Sequence, residues 1–224
     1  MLVVANAAGG VVLYDTHTWE VLPCPQLRHA EAVSALLVMP RLPNPPAGED
    51  GAAPPPLPMY AKRCRIVTAS TDKAMCVWGQ PKRGREPACV QLGKQSAAAM
   101  SLAPWRGAFA SGHGDGSVAL WTCATNASGD DVYTVAYRLN ASSPVRSLLV
   151  AGEDDNKVTA GDGNGSLTMW KYFGEEAGPR LSTLPWKLMR TTPAFPSCKD
   201  AAVVALVACG VDFVVAGDGA HVWR

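Results

Sequence analysis

The sequence lacks the features that would identify an enzyme or a metalloprotein directly. Its seven cysteines form no CxxC pair, so neither a zinc knuckle nor a redox dithiol is indicated. It has no GxSxG nucleophile elbow and no HExxH zinc-binding motif. The glycine-rich stretches 112–116 and 161–165 lack GxGxxG spacing and precede strand-like runs, not a helix that could bind phosphate. We therefore predict no catalytic residue, no cofactor and no metal site.

Strong charge and targeting segments are missing as well. Only 17% of the 224 residues are charged and the net charge is +1, which gives no overall attraction to nucleic acid or anionic membranes. The N-terminus has neither the basic region of a secretory signal nor an apolar run long enough to span a membrane. Together with scattered cysteines, this predicts a cytoplasmic protein that is not secreted or membrane-inserted. A nuclear, cytoskeletal or organellar assembly is the alternative location.

The sequence does contain an internal repeat. A short polar stretch with one Asp, followed by an apolar run ending in Trp, occurs at 68–78 (TASTDKAMCVW), 110–121 (ASGHGDGSVALW) and 159–170 (TAGDGNGSLTMW). A weaker copy lies at 214–223 (VVAGDGAHVW). The closing aromatics are 64, 43, 49 and 53 residues apart: Tyr14, Trp78, Trp121, Trp170 and Trp223. Four-stranded units of about 40–45 residues are typical of propeller blades.

The repeat predicts an all-β chain. Short apolar and β-branched runs alternate with Gly, Asp and Asn turns, and no helical periodicity of useful length is present. We expect a single β-propeller domain of four-stranded antiparallel blades, with units at about 1–24, 29–92, 97–139, 145–190 and 201–224. Residues 40–60 are predicted to be a loop insertion, because 40–58 contain eight prolines, which cannot pair within an inner strand. It is either a loop peculiar to this chain or a ligand for a proline-binding domain.

The expected strands do not add up to complete blades. The first unit begins at its second strand, with LVVAN (2–6), VVLYD (11–15) and WEVLP (19–23) as its three strands, and the last unit also has three. Eighteen strands are therefore predicted, two fewer than five full blades require. One explanation is that the chain forms part of a larger propeller, of about seven blades. Unrepresented sequence or a partner chain would then supply the rest. A closed, irregular ring of five blades is the other explanation.

These repeats resemble the WD-repeat (tryptophan–aspartate) β-propeller family. The resemblance covers most of the chain outside 40–60 and 172–200. It is strongest in the second unit, where RHAEAVSALL is similar to the family's Gly-His opening, with Arg28 in the Gly place. The resemblance implies a structural hydrogen-bond network, with these members in the second, third, fourth and fifth units: His29, Thr68, Asp72 and Trp78; Ser111, Asp115 and Trp121; Trp170; and Trp223.

The expected network has a simple physical logic. The indole N–H of Trp78 donates to the hydroxyl of Thr68, and that hydroxyl donates to the imidazole of His29. The other imidazole nitrogen is expected to meet a carboxylate in the hairpin turn. In the third unit Gly93 or Lys94 falls where the histidine should be, and His113 is expected to be a solvated turn residue. Such a network stabilises strands and does not catalyse a reaction.

Two features suit partner binding. A basic cluster brackets the second unit, and two tryptophans beside basic residues lie outside the repeat-closing positions; the candidate contacts are Arg63, Arg65, Lys82, Arg83, Arg85, Trp105 and Trp186. The basic cluster could bind phosphate or an acidic surface, or be a solvated rim. The tryptophans could anchor a partner or pack beneath a loop. The sequence thus predicts a non-catalytic scaffold in a multiprotein assembly, with an RNA-contacting subunit of a ribonucleoprotein as the alternative.

Overall fold

In a computed structural model the chain is an all-β array. The structure describes residues 2–21, 27–39, 65–78, 89–127, 131–174, 185–194, 201–209, 213–217 and 222–223. These ranges contain eighteen strands in five antiparallel sheets, with one short 3-10 turn at Glu153–Asp155. No helix within them has the length and apolar character needed to cross a membrane. The predicted proline-rich insertion at 40–60 lies outside the described residues.

The first two sheets follow one another along the chain. The first has three strands, in the order β1 (Leu2–Ala5), β2 (Gly10–Tyr14) and β3 (Leu27–Arg28). The second has four, β4 (Val33–Met39), β5 (Arg65–Ser70), β6 (Ala74–Trp78) and β7 (Cys89–Lys94). In each sheet, strands adjacent in sequence are hydrogen-bonded neighbours, as expected for a propeller blade.

The remaining sheets repeat this meander. The third contains β8 (Ala99–Trp105), β9 (Ala108–His113), β10 (Ser117–Thr125) and β11 (Asp131–Asn140). The fourth contains β12 (Val145–Ala151), β13 (Lys157–Asp162), β14 (Ser166–Tyr172) and β15 (Trp186–Pro193). The fifth contains β16 (Ala205–Cys209), β17 (Phe213–Gly217) and β18 (Val222–Trp223).

The predicted fold class is confirmed, and one expected strand is described only in part. The sequence predicted that WEVLP, residues 19–23, forms the third strand of the first unit. Within the described residues the third strand is Leu27–Arg28, and an isolated antiparallel bridge joins Tyr14 to Val21. Trp19, with a φ of +59°, lies in the turn before this bridge, and the part of the predicted strand at 22–23 lies outside the described residues.

The hydrophobic core lies in layers between successive sheets. Consecutive inner strands contact one another in the order β4, β8, β12 and β16, and β1 contacts β4. The third and fourth sheets enclose the largest cluster, around Trp105, Leu120 and Trp170. No comparable contact joins the first sheet to the fifth among the described residues. Each sheet is therefore stabilised mainly by the sheets before and after it.

Serine hydroxyls connect neighbouring inner strands across these layers. Ser34 Oγ donates to the carbonyl of Ala99 at 2.6 Å, from the second sheet to the third. Ser147 Oγ donates to the carbonyl of Val203 at 3.0 Å, from the fourth sheet towards the fifth. Because these hydroxyls are half-buried or buried, the bonds satisfy groups that would otherwise be costly to remove from water.

Candidate functional site

The second sheet contains the side-chain network that its sequence predicts. Trp78 Nε1 donates to Thr68 Oγ1 at 2.8 Å, and Thr68 Oγ1 lies 2.7 Å from His29 Nε2. All three side chains are buried. Because the threonine oxygen already accepts the indole proton, its own proton is free to be donated to the neutral imidazole. The network therefore ties β5, β6 and the segment before β4 together.

Asp72 acts on His29 by charge, not by the hydrogen bond expected from the sequence. Its Oδ2 accepts from the backbone N–H of Ala30 at 3.1 Å, and its Oδ1 accepts from Ala74 N–H at 2.7 Å. Partial burial works to raise the pKa of Asp72, but hydrogen bonds led by that of Ala74 outweigh it and lower the pKa. Burial has the opposite effect on a histidine: it lowers the pKa of His29, and the nearby Asp72 carboxylate offsets only part of this effect. The imidazole is consequently favoured in its neutral form.

The third sheet contains the same network with a histidine from a different place. Trp121 Nε1 donates to Ser111 Oγ at 2.9 Å, and Ser111 Oγ lies 2.9 Å from His113 Nε2. His113 Nδ1 donates to the carbonyl of Ala97 at 3.2 Å. The expectation of a solvated His113 is therefore wrong: the residue ends β9 and is 1% exposed. Burial lowers its pKa, and the Ala97 carbonyl and the Asp115 carboxylate oppose this in part.

Asp115 holds the hairpin turn of the third sheet. The Asp115 carboxylate accepts hydrogen bonds from the hydroxyl and the backbone N–H of Ser117 at 2.6 and 3.0 Å, and from the hydroxyl of Ser96 at 2.8 Å. Burial alone would raise the pKa of Asp115, but these three donors prevail and lower it to about 2. The residue is a fixed anion that organises the turn between β9 and β10.

One position of the repeat that was not predicted to matter holds a different polar residue in each of the first four units. Eight residues before the closing aromatic stand Asn6, Ser70, His113 and Asp162, in the first four units. In each case the side chain bonds within its own turn or network. The signal was available in the sequence, since a polar residue at one fixed spacing from a repeated aromatic points to a repeated role.

In the fourth sheet this position is an aspartate, Asp162, which accepts hydrogen bonds from the turn that follows it. The carboxylate of Asp162 is fully buried; Oδ1 accepts from the N–H groups of Asn164 and Ser166 at 3.0 and 2.8 Å, and Oδ2 accepts from the hydroxyl of Ser142 at 3.1 Å. Ala160 occupies the hydroxyl place, so Trp170 contributes mainly by packing in the core. The backbone of Trp223 pairs with Ala216 in the fifth sheet, and its side chain lies outside the described residues.

Both tryptophans proposed as partner contacts are buried, which corrects the surface interpretation. Trp105 is 1% exposed and Trp186 is 6% exposed. They belong to one aromatic cluster between the third and fourth sheets, where Trp186 lies 5.4 Å from the ring of Tyr172 and 6.3 Å from that of Tyr137. Sequence could not show this, because the register of each sheet decides which face a residue takes; Trp105 pairs with Ala108 and Trp186 with Tyr172.

Arg65 is also engaged inside the fold. Its Nη2 pairs with Asp131 Oδ2 at 2.8 Å, and the guanidinium lies over the ring of Tyr133 at 5.9 Å. Because this ion pair joins the second sheet to the third, Arg65 is not a free phosphate-binding residue. The other predicted cations lie outside the described residues: Arg63, Lys82, Arg83 and Arg85.

The described part of the chain gathers no group of three or more His, Cys, Asp or Glu side chains that could hold a metal ion. The buried side chains of His29, His113 and Asp162 instead belong to the networks above. The surface, by contrast, contains exposed apolar residues, among them Leu188 and Met189 on the edge strand β15, 60% and 51% exposed. Exposed apolar side chains on a strand edge are typical of contact surfaces.

Comparisons with known proteins give the fold alone. No protein-family model matches the chain, and no curated protein sequence matches it. Among solved structures it is similar to Sqt1 from Chaetomium thermophilum, a WD40 β-propeller protein, with a TM-score of 0.65 and 18% identity. The match covers 99% of this chain and 56% of the Sqt1 chain. The chain thus has a WD40-type β-propeller fold and spans little more than half the length of that neighbour.

Proposed function

We propose that this chain is a non-catalytic protein–protein interaction scaffold, a subunit of a multiprotein assembly. The observation that carries the proposal is how its side chains are used. The buried polar groups of the repeats, such as His29, His113 and Asp162, hold strands together, while apolar side chains remain exposed at strand edges. A rigid stack of sheets with exposed apolar contacts is suited to holding partners.

The proposal includes further strands on the described arc. The first and fifth sheets have three described strands each, whereas the three sheets between them have four. An added strand on either would satisfy backbone groups at the sheet edge. We propose that such strands come from a partner chain or from further sequence of the same polypeptide. We also propose a cytoplasmic location, which microscopy of the tagged protein would test.

Affinity purification of the tagged protein, with and without nuclease, tests the scaffold proposal. A fixed set of proteins that survives nuclease treatment is the expected result. If the set disappears with nuclease, RNA holds the assembly together and the ribonucleoprotein alternative replaces the proposal. If no protein copurifies under either condition, the scaffold function is wrong. In that case the salt dependence of RNA binding is measured with Arg83 and Arg85 present and neutralised. Phosphate contacts weaken steeply as salt rises, so a strong dependence that is lost in the neutralised variant assigns the contact to the basic cluster.

A further inference from the structure

We propose that the hairpin between β2 and β3 is a protein-docking surface anchored by Trp19. Its occupant is a partner protein that offers an apolar pocket bordered by Lys or Arg side chains. We call this the Trp19 surface and define it by Leu2, Tyr14, Trp19 and Val21. The inference rests on the proposed scaffold function and locates one of its contacts.

The exposure of Trp19 is unusual for this chain. Its side chain is 67% exposed, whereas the tryptophans that close the second, third and fourth units, and Trp105 and Trp186, are all at most 9% exposed. Val21 is 59% exposed and Leu2 is 41% exposed. Tryptophan is the residue type most enriched among the anchors of protein interfaces, because it buries a large rigid surface. A tryptophan exposed to this extent is therefore a candidate anchor for a partner.

The backbone at Trp19 supports the same conclusion. The hairpin is closed by the N–H of Asp15, which donates to Glu20 O at 2.9 Å, and by the N–H of Trp19, which donates to Asp15 O at 2.8 Å. This turn places Trp19 at a φ of +59°, in the left-handed region where a bulky residue is strained and glycine is not. The fold would be served better by glycine here, so the strained aromatic points to a role outside the fold.

The apolar side chains belong to one row of the first sheet. Leu2 pairs with Tyr14, and Tyr14 bridges to Val21, so these three side chains lie on the same face. The opposite face of the sheet, with Val3 and Leu13, packs against the second sheet. The row therefore faces away from the described core, and the Trp19 hairpin stands at its end.

Charge indicates the chemistry of the partner. Asp15 and Glu20 lie in the same hairpin as Trp19, at the two residues whose backbone bond closes it. The N–H of His17 donates to Asp15 Oδ1 at 2.7 Å, and this bond is the main cause that lowers the pKa of Asp15. Two carboxylates in the hairpin that presents an exposed tryptophan are complementary to a pocket with a basic border. A strongly acidic partner surface or an anionic membrane would be repelled.

The variant Trp19→Gly separates docking from folding. Glycine fits the left-handed turn, so we expect a Tm that is unchanged or higher. The affinity purification is repeated with this variant and with His17→Ala as the matched control on the same hairpin. We expect Trp19→Gly, but not His17→Ala, to lose one member of the set that wild-type protein retains. That member is then purified and titrated against the full chain.

The titration decides the proposal. The expected result is direct binding that weakens at least about tenfold in Trp19→Gly and also weakens in Asp15→Asn/Glu20→Gln. Caesium quenching of wild-type tryptophan fluorescence should fall when the partner binds, because Trp19 becomes covered. If Trp19→Gly retains the full set, the Trp19 surface is wrong while the scaffold function stands. If light scattering shows a wild-type dimer that Trp19→Gly dissociates, the occupant is a second copy and the proposed partner is wrong.

Discussion

His113 Nε2 lies 2.9 Å from Ser111 Oγ, two residues away on the same strand. In the second sheet the corresponding imidazole, that of His29, is 39 residues from its hydroxyl and comes from the segment before the inner strand. Two routes through the chain therefore produce one arrangement of indole, hydroxyl and imidazole. The hydroxyl and the indole set the geometry, and the imidazole can come from any neighbouring position that points to the same place.

His113→Ala should destabilise the protein strongly. The substitution removes the acceptor of the Ser111 hydroxyl proton and the donor to the part-buried Ala97 carbonyl, and it deletes a buried ring. We expect the free energy of unfolding to fall by about 2–3 kcal/mol, measured by urea denaturation. His17→Ala, at an exposed turn position, should change it by less than about 0.5 kcal/mol. A loss below about 0.5 kcal/mol for His113→Ala would show that the network contributes little.

Stability should fall as the pH drops below about 6.5, the ordinary pKa of histidine. Burial lowers the pKa of both His29 and His113 in the folded state. Between the two pKa values the unfolded chain binds more protons than the folded one, so protons favour unfolding. The stabilisation is therefore complete above about pH 6.5 and decreases towards the lower folded pKa. Urea midpoints from pH 8 to pH 5 measure this.

The double variant His29→Gln/His113→Gln is the control for that pH dependence. It should be less stable at pH 8, and its urea midpoint should change less between pH 7 and pH 5 than that of the wild-type protein. An equal slope in both proteins would mean that other groups cause the dependence.

A second decrease in the free energy of unfolding is expected near pH 3, where Asp115 becomes protonated, because its pKa is lowered from 3.8 to about 2 in the folded state.

Sequence predicted the strands well because the repeat restates them. In each unit an apolar run follows a turn and leads to an aromatic, and the apolar runs that reach Trp78, Trp121 and Trp170 are the strands β6, β10 and β14. The network of His29, Thr68 and Trp78 followed from a family resemblance. The prediction for His113 is wrong because the family pattern places the imidazole before the first strand of the unit, whereas residues two apart on one strand share a face and can meet as well.

Burial of individual tryptophans could not be predicted in the same way. The face that a side chain takes depends on the register of its sheet, and Trp186, the first residue of β15, is placed by its pairing with Tyr172. A one-residue shift moves a side chain from core to surface. Trp186 looked like a surface residue beside Lys187 and is buried, whereas Trp19, which drew no attention in sequence, is exposed.

Lys73→Gly should stabilise the protein. Lys73 has a φ of +68° in the turn before β6, where the corresponding residues of the other turns are glycines, such as Gly116 with a φ of +86°. Removing left-handed strain outweighs the entropy that glycine adds to the unfolded chain, so we expect a gain of about 0.5 kcal/mol. Gly116→Lys is the converse and should be destabilising. Thermal unfolding of both variants checks the pair, and a destabilised Lys73→Gly would contradict it.

Gly112→Ala should weaken the packing between the third sheet and the fourth. A Cβ at Gly112 would lie 2.6 Å from Ser101 Oγ and would overlap the side chain of Val145, which packs on β9 from the next sheet. Neither neighbour can move freely, because Val145 is fully buried and Ser101 Oγ bonds to the Val145 carbonyl. We expect a loss of about 1–3 kcal/mol in the free energy of unfolding.

Gly114→Ala is the matched control, two residues further along the same hairpin. The nearest atom to its Cβ would be Met100 Sδ at 3.7 Å, an ordinary contact with a flexible side chain. Its free energy of unfolding should stay within about 0.5 kcal/mol of the wild-type value. Hydrogen exchange of amides in β9 and β12 then locates the effect: in Gly112→Ala the faster exchange should appear on both sides of the layer. If only β9 exchanged faster, the close approach of Val145 would not be what holds these two sheets together.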